Sequence, residues 1–246
     1  MPGPPWLILP TYNEAENIEP VVAGARATLS AAAPEGFRIL VVDDDSPDGT
    51  GAIADRLAAA HPGEIEVLHR AERTGLGPAY LAGFRRALSD GADLVLEMDC
   101  DFSHDPNDVP RLLGAIEHGA DLALGSRYVP GGGVRNWGLV RRLISEGGSL
   151  YARVLLGVDV RDLTGGFKCY RSAVLEAIDL DAVDSKGYAF QIETTYRVLR
   201  AGFEVVEVPI TFADREVGGS KMSKAIVAEA IWKVPGLRLA ALFGRL

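Results

Sequence analysis

Short apolar runs recur along the first half of the chain, and each gives way to a polar, turn-forming stretch. They are Trp6-Leu7-Ile8-Leu9, Ile39-Leu40-Val41-Val42, Ile65-Glu66-Val67-Leu68, Leu94-Val95-Leu96 and Leu122-Ala123-Leu124. Runs this short, rich in β-branched residues and closed by Pro, Gly or Asp, predict strands. Between them the polar and apolar positions repeat at helical spacing, which predicts helices over 18–33, 51–60, 75–89 and 107–118, the last capped by Asp105 or Asn107. Strand and helix therefore alternate, and the strands are apolar almost throughout. That pattern predicts an α/β fold: a Rossmann-like, doubly wound, mostly parallel sheet with helices on both faces. The second half is less regular. It predicts a glycine loop at 131–133, a helix over 140–156, a glycine turn at 163–168 and a helix over 190–200. A single strand over 204–212 follows, placed at a sheet edge by Pro209, and then a glycine-containing loop over 215–221 able to move.

Composition adds boundaries to this picture. The chain has 246 residues, 48% of them apolar, enough for one domain with a sizeable core. No stretch is long and apolar enough to predict a transmembrane helix, and no basic leader precedes the first strand, so no signal peptide is expected. Cys100 and Cys169 match no metal or redox spacing and read as reduced thiols of a cytoplasmic protein. The net charge of −9 argues against a nucleic-acid partner. Two segments run against it: Arg127, Arg135, Arg141, Arg142 and Arg153 face only Glu146, and the basic residues from Lys221 onward face only Glu229. They suggest a local anionic partner.

Ligands of doubly wound sheets bind at the carboxyl ends of the strands. That rule gathers Glu14, Asp43 to Asp45, the pair Asp99 and Asp101, and Ser126-Arg127-Tyr128 into one acidic cleft holding an arginine. With the fourth strand running over 94–98, Asp99 and Asp101 would alternate onto one side. Two converging carboxylates repel unless a cation lies between them, and a hard divalent ion shared with a diphosphate resolves this. A solvated turn ahead of Pro106 would carry the same two residues; only the shared cleft separates the readings. Arg127, Arg215 and Lys221 could neutralise the remaining phosphate charge, while Glu14 and Asp44 suit ribose hydroxyls or the donor edge of a purine. Gly75-Leu76-Gly77 lacks the third glycine of a dinucleotide fingerprint and no P-loop is present; these glycines read as allowing a tight turn into a helix. No Ser/His/Asp or Cys/His arrangement is visible, and of the four histidines only His104 adjoins the acidic pair.

As a set, Pro10-Thr11-Tyr12-Asn13-Glu14, Val42-Asp43-Asp44-Asp45-Ser46-Pro47-Asp48-Gly49-Thr50, Met98-Asp99-Cys100-Asp101-Phe102-Ser103-His104, Gly125-Ser126-Arg127-Tyr128, Asp162-Leu163-Thr164-Gly165-Gly166-Phe167 and Gly219-Ser220-Lys221 closely resemble polyprenol (dolichol) monophosphate mannose synthases. These are inverting family 2 glycosyltransferases of GT-A fold. The resemblance implies transfer of mannose from GDP-mannose to a polyprenyl phosphate. It implies that Pro10, Tyr12, Glu14, Val42, Asp44 and Cys100 hold the donor, with Arg215 and Lys221 on its diphosphate. Asp99 and Asp101 would carry Mg²⁺ or Mn²⁺. Some relatives have a glutamine metal ligand where this chain has Ser103, so Ser103 or a water takes that place here. Cys100 stands where the family usually has alanine. Arg127, Arg141 and Ser145 would meet the acceptor phosphate. Neighbouring readings change the donor to UDP-glucose or the acceptor to another molecule, or make the chain a catalytically silent GT-A binding module.

The resemblance covers roughly residues 6–221 and implies a catalytic domain over 1–223 with a helical tail over 224–246. In the tail, Ile226, Ala230 and Val234 recur at helical spacing, and Trp232, Phe243 and the basic residues fit an interfacial amphipathic helix. The same spacing fits a helix packed on the domain, so both readings stand. With a lipid acceptor, the expected location is peripheral, on the cytoplasmic face of a membrane, with a separate anchoring protein as a further expected partner.

Overall fold

The computed structural model describes residues 3–185, 187–214 and 224–244. The elements run β1 (Pro5–Thr11), α1 (Ile18–Ala32), β2 (Arg38–Asp43), α2 (Thr50–Ala60), β3 (Ile65–His69), α3 (Leu76–Ser89), β4 (Leu94–Glu97), α4 (Val109–Glu117), β5 (Leu122–Ser126), β6 (Gly133–Arg135), α5 (Leu139–Leu156), β7 (Lys168–Arg171), α6 (Ser172–Ala177), α7 (Tyr188–Arg200), β8 (Val205–Pro209), β9 (Thr211–Ala213) and α8 (Lys224–Leu242). Among the described residues the main sheet has seven strands in the order β3-β2-β1-β4-β7-β5-β8. The pairs β1–β2, β1–β4, β2–β3 and β5–β8 are parallel. β7 is the exception: it runs antiparallel between β4 and β5.

The continuous apolar runs are explained by helices on both faces. Leu7 and Leu9 of β1 pack with Val22 and Leu29 of α1 and Leu112 and Ile116 of α4. Their neighbours Trp6 and Ile8 pack on the other face, with Tyr80 and Phe84 of α3 and Phe190 of α7. Alternation along a strand thus feeds two cores rather than a core and solvent. Gly83 brings α3 down on the sheet; a Cβ there would lie 2.4 Å from Ile8 Cγ2. The expected tight turn into α3 is present, with Gly75 at φ +113° and the Gly77 position pressed against the Ser185 carbonyl.

One predicted strand is two. The segment expected as one strand over 204–212 divides at Ile210. The Ile210 N–H donates to the Ser126 carbonyl of the main sheet, and its own carbonyl accepts from Gly133 N–H. The chain is thereby handed to a second, two-stranded sheet in which β9 pairs with β6. β8 does form an edge of the main sheet, as Pro209 predicted. A short 3-10 turn precedes α4, and there the Asp105 carboxylate accepts from Asn107 N–H at 2.9 Å, the cap expected from sequence.

A third core holds the carboxyl-terminal helix. Val234, Leu237 and Ala241 of α8 are buried with Ala152 and Leu156 of α5 and Ile192 and Tyr196 of α7. The opposite side of this layer is apolar and exposed: Leu139, Val140, Leu143, Leu150 and Val154 on α5, and Trp232, Leu242 and Phe243 at α8. Tyr151 OH donates to the Ile231 carbonyl at 2.9 Å and ties the two helices together.

Candidate active site

The loops at the carboxyl ends of β1, β2 and β4 each hold a non-glycine residue at positive φ: Asn13 at 56°, Asp45 at 55° and Phe102 at 62°. Such conformations cost free energy and persist where surrounding contacts over-determine them, often at functional sites.

At the ends of β1, β2 and β3 lies the first half of the site. Asp43 is consumed by local structure, accepting from Ser46 Oγ at 2.6 Å and from Thr11 Oγ1 at 3.2 Å. Its neighbour Asp44 faces the cleft, but not alone: Arg70 Nη1 lies 2.5 Å from Asp44 Oδ1. The Arg73 guanidinium stacks 4.0 Å above the Tyr12 ring. Pro10 and Val42 are register partners, both buried. The Glu14 carboxylate accepts from Asn17 Nδ2 at 2.7 Å. Sequence reasoning missed Arg70 and Arg73; their position just past the third strand was the available signal.

The acidic pair sits differently from the expectation. β4 ends at Glu97, so strand alternation does not reach Asp99 and Asp101. They lie in a bend whose turn at Phe102 has a left-handed backbone. Each carboxylate is held by a separate donor: Tyr80 OH reaches Asp99 Oδ1 at 3.1 Å, and Ser103 N–H reaches Asp101 Oδ1 at 3.0 Å. Burial, and then the charges of Asp99 and Glu97, push the Tyr80 phenol well above its ordinary pKa, so it stays protonated and donates. Cys100 is buried between them. Ser103 is buried as well, and its carbonyl accepts from Ala213 N–H of β9. His104 accepts the Asp99 N–H at Nδ1, at 3.2 Å, and its ring packs between Phe167 and Phe212. It supports the loop through that nitrogen.

The second half of the site gathers on α5 and the turn after β5. Arg127 is buried and gripped by Asp162, with Nε–Oδ2 at 2.7 Å and Nη2–Oδ1 at 2.6 Å, and it also donates to Thr164. Arg141 pairs with Asp214 and stacks 4.4 Å over Trp137. Ser145 Oγ accepts from Tyr128 OH at 2.7 Å. Beside them lies a cavity of about 480 Å³ lined by Arg127, Tyr128, Arg142, Glu146, Arg153 and Arg161 among others. Phe212 joins the halves: its ring centroid is 5.0 Å from that of His104, and the Arg127 guanidinium is 5.4 Å away. Nothing in the sequence marked Phe212 or Trp137, because only the division of the last strand brings them here. Arg215 and Lys221, expected on the donor diphosphate, lie outside the described residues.

The geometry fits the comparisons with known proteins. Residues 6–179 match the model of glycosyl transferase family 2, and the chain belongs to that family. It is 55% identical over 228 residues to a polyprenol monophosphomannose synthase of Mycolicibacterium smegmatis, covering 93% of this chain and 84% of that protein. It is 53% identical over 234 residues to an undecaprenyl-phosphate mannosyltransferase of Micrococcus luteus, covering 95% and 93% respectively. Among solved structures, a mannosyltransferase from Pyrobaculum calidifontis, in complex with GDP-Man and Mn²⁺, superposes with a TM-score of 0.61 at 17% identity, over 99% of this chain and 75% of that one. A mannosyl-3-phosphoglycerate synthase from Rubrobacter xylanophilus does so at 0.66 and 24%, with the same coverage. At these identities the structural likeness speaks for the fold, which is GT-A.

Proposed function

We propose that this chain transfers mannose from GDP-mannose to a polyprenyl phosphate with inversion, giving a β-mannosyl phosphoryl lipid and GDP. The observation that carries the reading is the pairing of an acidic half-site with an arginine half-site across one ring, Phe212. The relatives at 55% and 53% identity are named for mannosyl transfer to polyprenyl-type acceptors, which favours GDP-mannose over UDP-glucose. The presence of both carboxylates and both arginines in one site speaks against a silent binding module.

The donor set suits a divalent cation. Asp99 and Asp101 offer hard oxygens, with one oxygen of Asp99 fixed by Tyr80 OH and one of Asp101 by Ser103 N–H. Among the described residues no group of three or more His, Cys, Asp or Glu is placed to hold a metal. Such a site suits Mg²⁺ or Mn²⁺ completed by substrate phosphate and water, with Ser103 or a water as a further ligand. The bound ion would neutralise charge developing on the departing diphosphate. Tyr80 and His104 keep the Asp99 loop in place. Asp44, with Arg70, and Tyr12, with Arg73, wall the nucleoside end, and Pro10, Glu14, Val42 and Cys100 complete that wall. Arg215 and Lys221 are assigned to the diphosphate by their motif.

Arg127, Arg141 and Ser145 orient the acceptor phosphate. Its oxygen attacks the anomeric carbon opposite the diphosphate; the new C–O bond forms as the bond to GDP breaks, and the electron pair leaves on GDP. A phosphate monoester with a second pKa of about 6 is largely dianionic at neutral pH. No proton has to be removed, so no general base is needed. Labelled GDP-mannose, polyprenyl phosphate and MnCl₂ or MgCl₂ should give an organic-soluble mannolipid, with UDP-glucose giving none. Transfer from UDP-glucose instead, or no product at all, would sink the reading.

A lipid acceptor requires access to a bilayer. No helix among the described residues is long and apolar enough to cross a membrane. The exposed apolar side of α5 and α8, with Leu139 79% and Trp232 81% accessible, fits docking on a membrane surface. We place the chain peripherally on the cytoplasmic face, with an anchoring partner protein as an addition rather than a requirement. Deleting α8 would strip Val234 and Leu237 from the core, so point changes make the better test. The Leu143→Ser/Trp232→Ser/Phe243→Ser variant should lose flotation with liposomes and keep its thermal midpoint. Undiminished flotation would refute docking through this face.

A further inference from the structure

We propose that Asp214 is a competing anion for the acceptor-phosphate seat, one that the acceptor must displace from Arg141. The proposal rests on the acceptor role given to Arg141 above. The two arginines of that half-site hold carboxylates of different kinds. Asp162 is fully buried and binds Arg127 through two side-chain bonds and a backbone bond, so this pair is part of the scaffold. Asp214 has a 37% accessible side chain and is bonded to Arg141 Nη1. A partly exposed pair of this kind contributes less than a buried one, whereas a phosphate dianion offers an arginine more charge and more acceptor oxygens.

Three further observations fit exchange. The backbone of Asp214 is fixed independently of its carboxylate, because its N–H donates to the Arg135 carbonyl at 3.1 Å, so exchange of the side chain at Arg141 does not require the backbone to move. Arg141 would not follow, since Trp137 holds its guanidinium by stacking at 4.4 Å. The indole N–H of Trp137 is itself buried and has no hydrogen-bond partner among the described residues. A buried donor without an acceptor is costly and uncommon. The ring that carries this one stacks against Arg141 and has its centroid 5.6 Å from the Arg127 guanidinium, so an acceptor phosphate held by the two arginines would come close enough to take its bond. Asp214 therefore sets a threshold that an incoming anion must exceed, and Trp137 is assigned as a third donor to it.

The test compares Asp214→Asn, Trp137→Phe and wild type in mannosyl transfer, varying the polyprenyl phosphate and GDP-mannose separately. Asp214→Asn should lower the acceptor KM about three- to tenfold and leave the GDP-mannose KM unchanged. Inhibition by farnesyl phosphate should strengthen by a similar factor. Trp137→Phe keeps the ring but removes the N–H, and should raise the acceptor KM. In an Arg141→Ala background the Asp214→Asn effect should vanish, because the two changes act on one pair. A raised acceptor KM in Asp214→Asn would mean that Asp214 props Arg141 in place, and an unchanged one that the pair is not at the acceptor; either overturns the proposal. Should Asp214→Asn not fold, Asp214→Ala, which also removes the competing charge and should lower the acceptor KM by a similar factor, carries the same decision. Failure of the mannosyl-transfer reading would look different: wild type itself would make no mannolipid.

Discussion

Asp101→Asn should lower mannosyl transfer by roughly a thousandfold or more while leaving the fold intact. A metal-bridged leaving group accounts for several kcal/mol of transition-state stabilisation, and each 1.4 kcal/mol is about tenfold in rate. The substitution removes a charge but not the local hydrogen bond, since an asparagine oxygen can still accept from Ser103 N–H, the 3.0 Å bond that Asp101 makes. The midpoint of thermal unfolding should therefore move little. In wild type, GDP with Mn²⁺ should raise that midpoint well above GDP with EDTA, because a ligand bound only by the native state stabilises it by about 2.7 kcal/mol at a hundred times Kd. In Asp101→Asn the difference between Mn²⁺ and EDTA should collapse. A variant that keeps wild-type rates with an unchanged metal requirement would take Asp101 out of the metal site.

The parts of this molecule that could be read from sequence are those set by local pattern. Apolar runs ended by turn residues placed β1 to β5, because burial on two faces leaves a one-dimensional trace. The carboxylates at the strand ends followed from the rule that ligands sit there. What could not be read depends on partners distant in the chain. β7 enters antiparallel between β4 and β5, and its short run Lys168-Cys169-Tyr170-Arg171 mixes charge with apolar residues. Its lysine is buried only because Glu97 lies opposite in the register. The division of 204–212 depends on Ile210 bonding two sheets at once, which no propensity reports. That division also moves Phe212 into the site, where it touches both half-sites. At the acidic pair the expected route does not hold: alternation along a strand does not extend to Asp99 and Asp101, and the chain carries them in a loop that turns at Phe102. Arg127 shows the opposite limit. Its charge was plain in the sequence, but its engagement with Asp162, 35 positions away, was not.

Lys168→Met should cost about 3–5 kcal/mol, the usual loss when one member of a buried ion pair is removed and the other is stranded. Lys168 and Glu97 have no accessible side-chain surface and meet at 3.1 Å. The ammonium also donates to the Gln191 side-chain oxygen and backbone carbonyl and to Thr194. Burial pushes the Glu97 carboxyl up and the Lys168 amine down, each toward its neutral form, and mutual attraction opposes both shifts. Desolvation outweighs the attraction at both groups even while the partners are together, and removing one leaves desolvation alone. For a chain of this size the loss corresponds to a fall of roughly 10 °C in thermal midpoint. Glu97→Gln/Lys168→Met should recover most of it, because a neutral pair carries no stranded charge. Activity separates two roles. Glu97 lies two residues before Asp99, and its charge reaches Tyr80, the donor that holds Asp99. If the pair also fixes the acidic loop, the double variant will be stable yet require more Mn²⁺ for half-maximal rate. If it serves only the core, stability and metal requirement will recover together. A Lys168→Met variant as stable as wild type would show that the pair is dispensable to the fold.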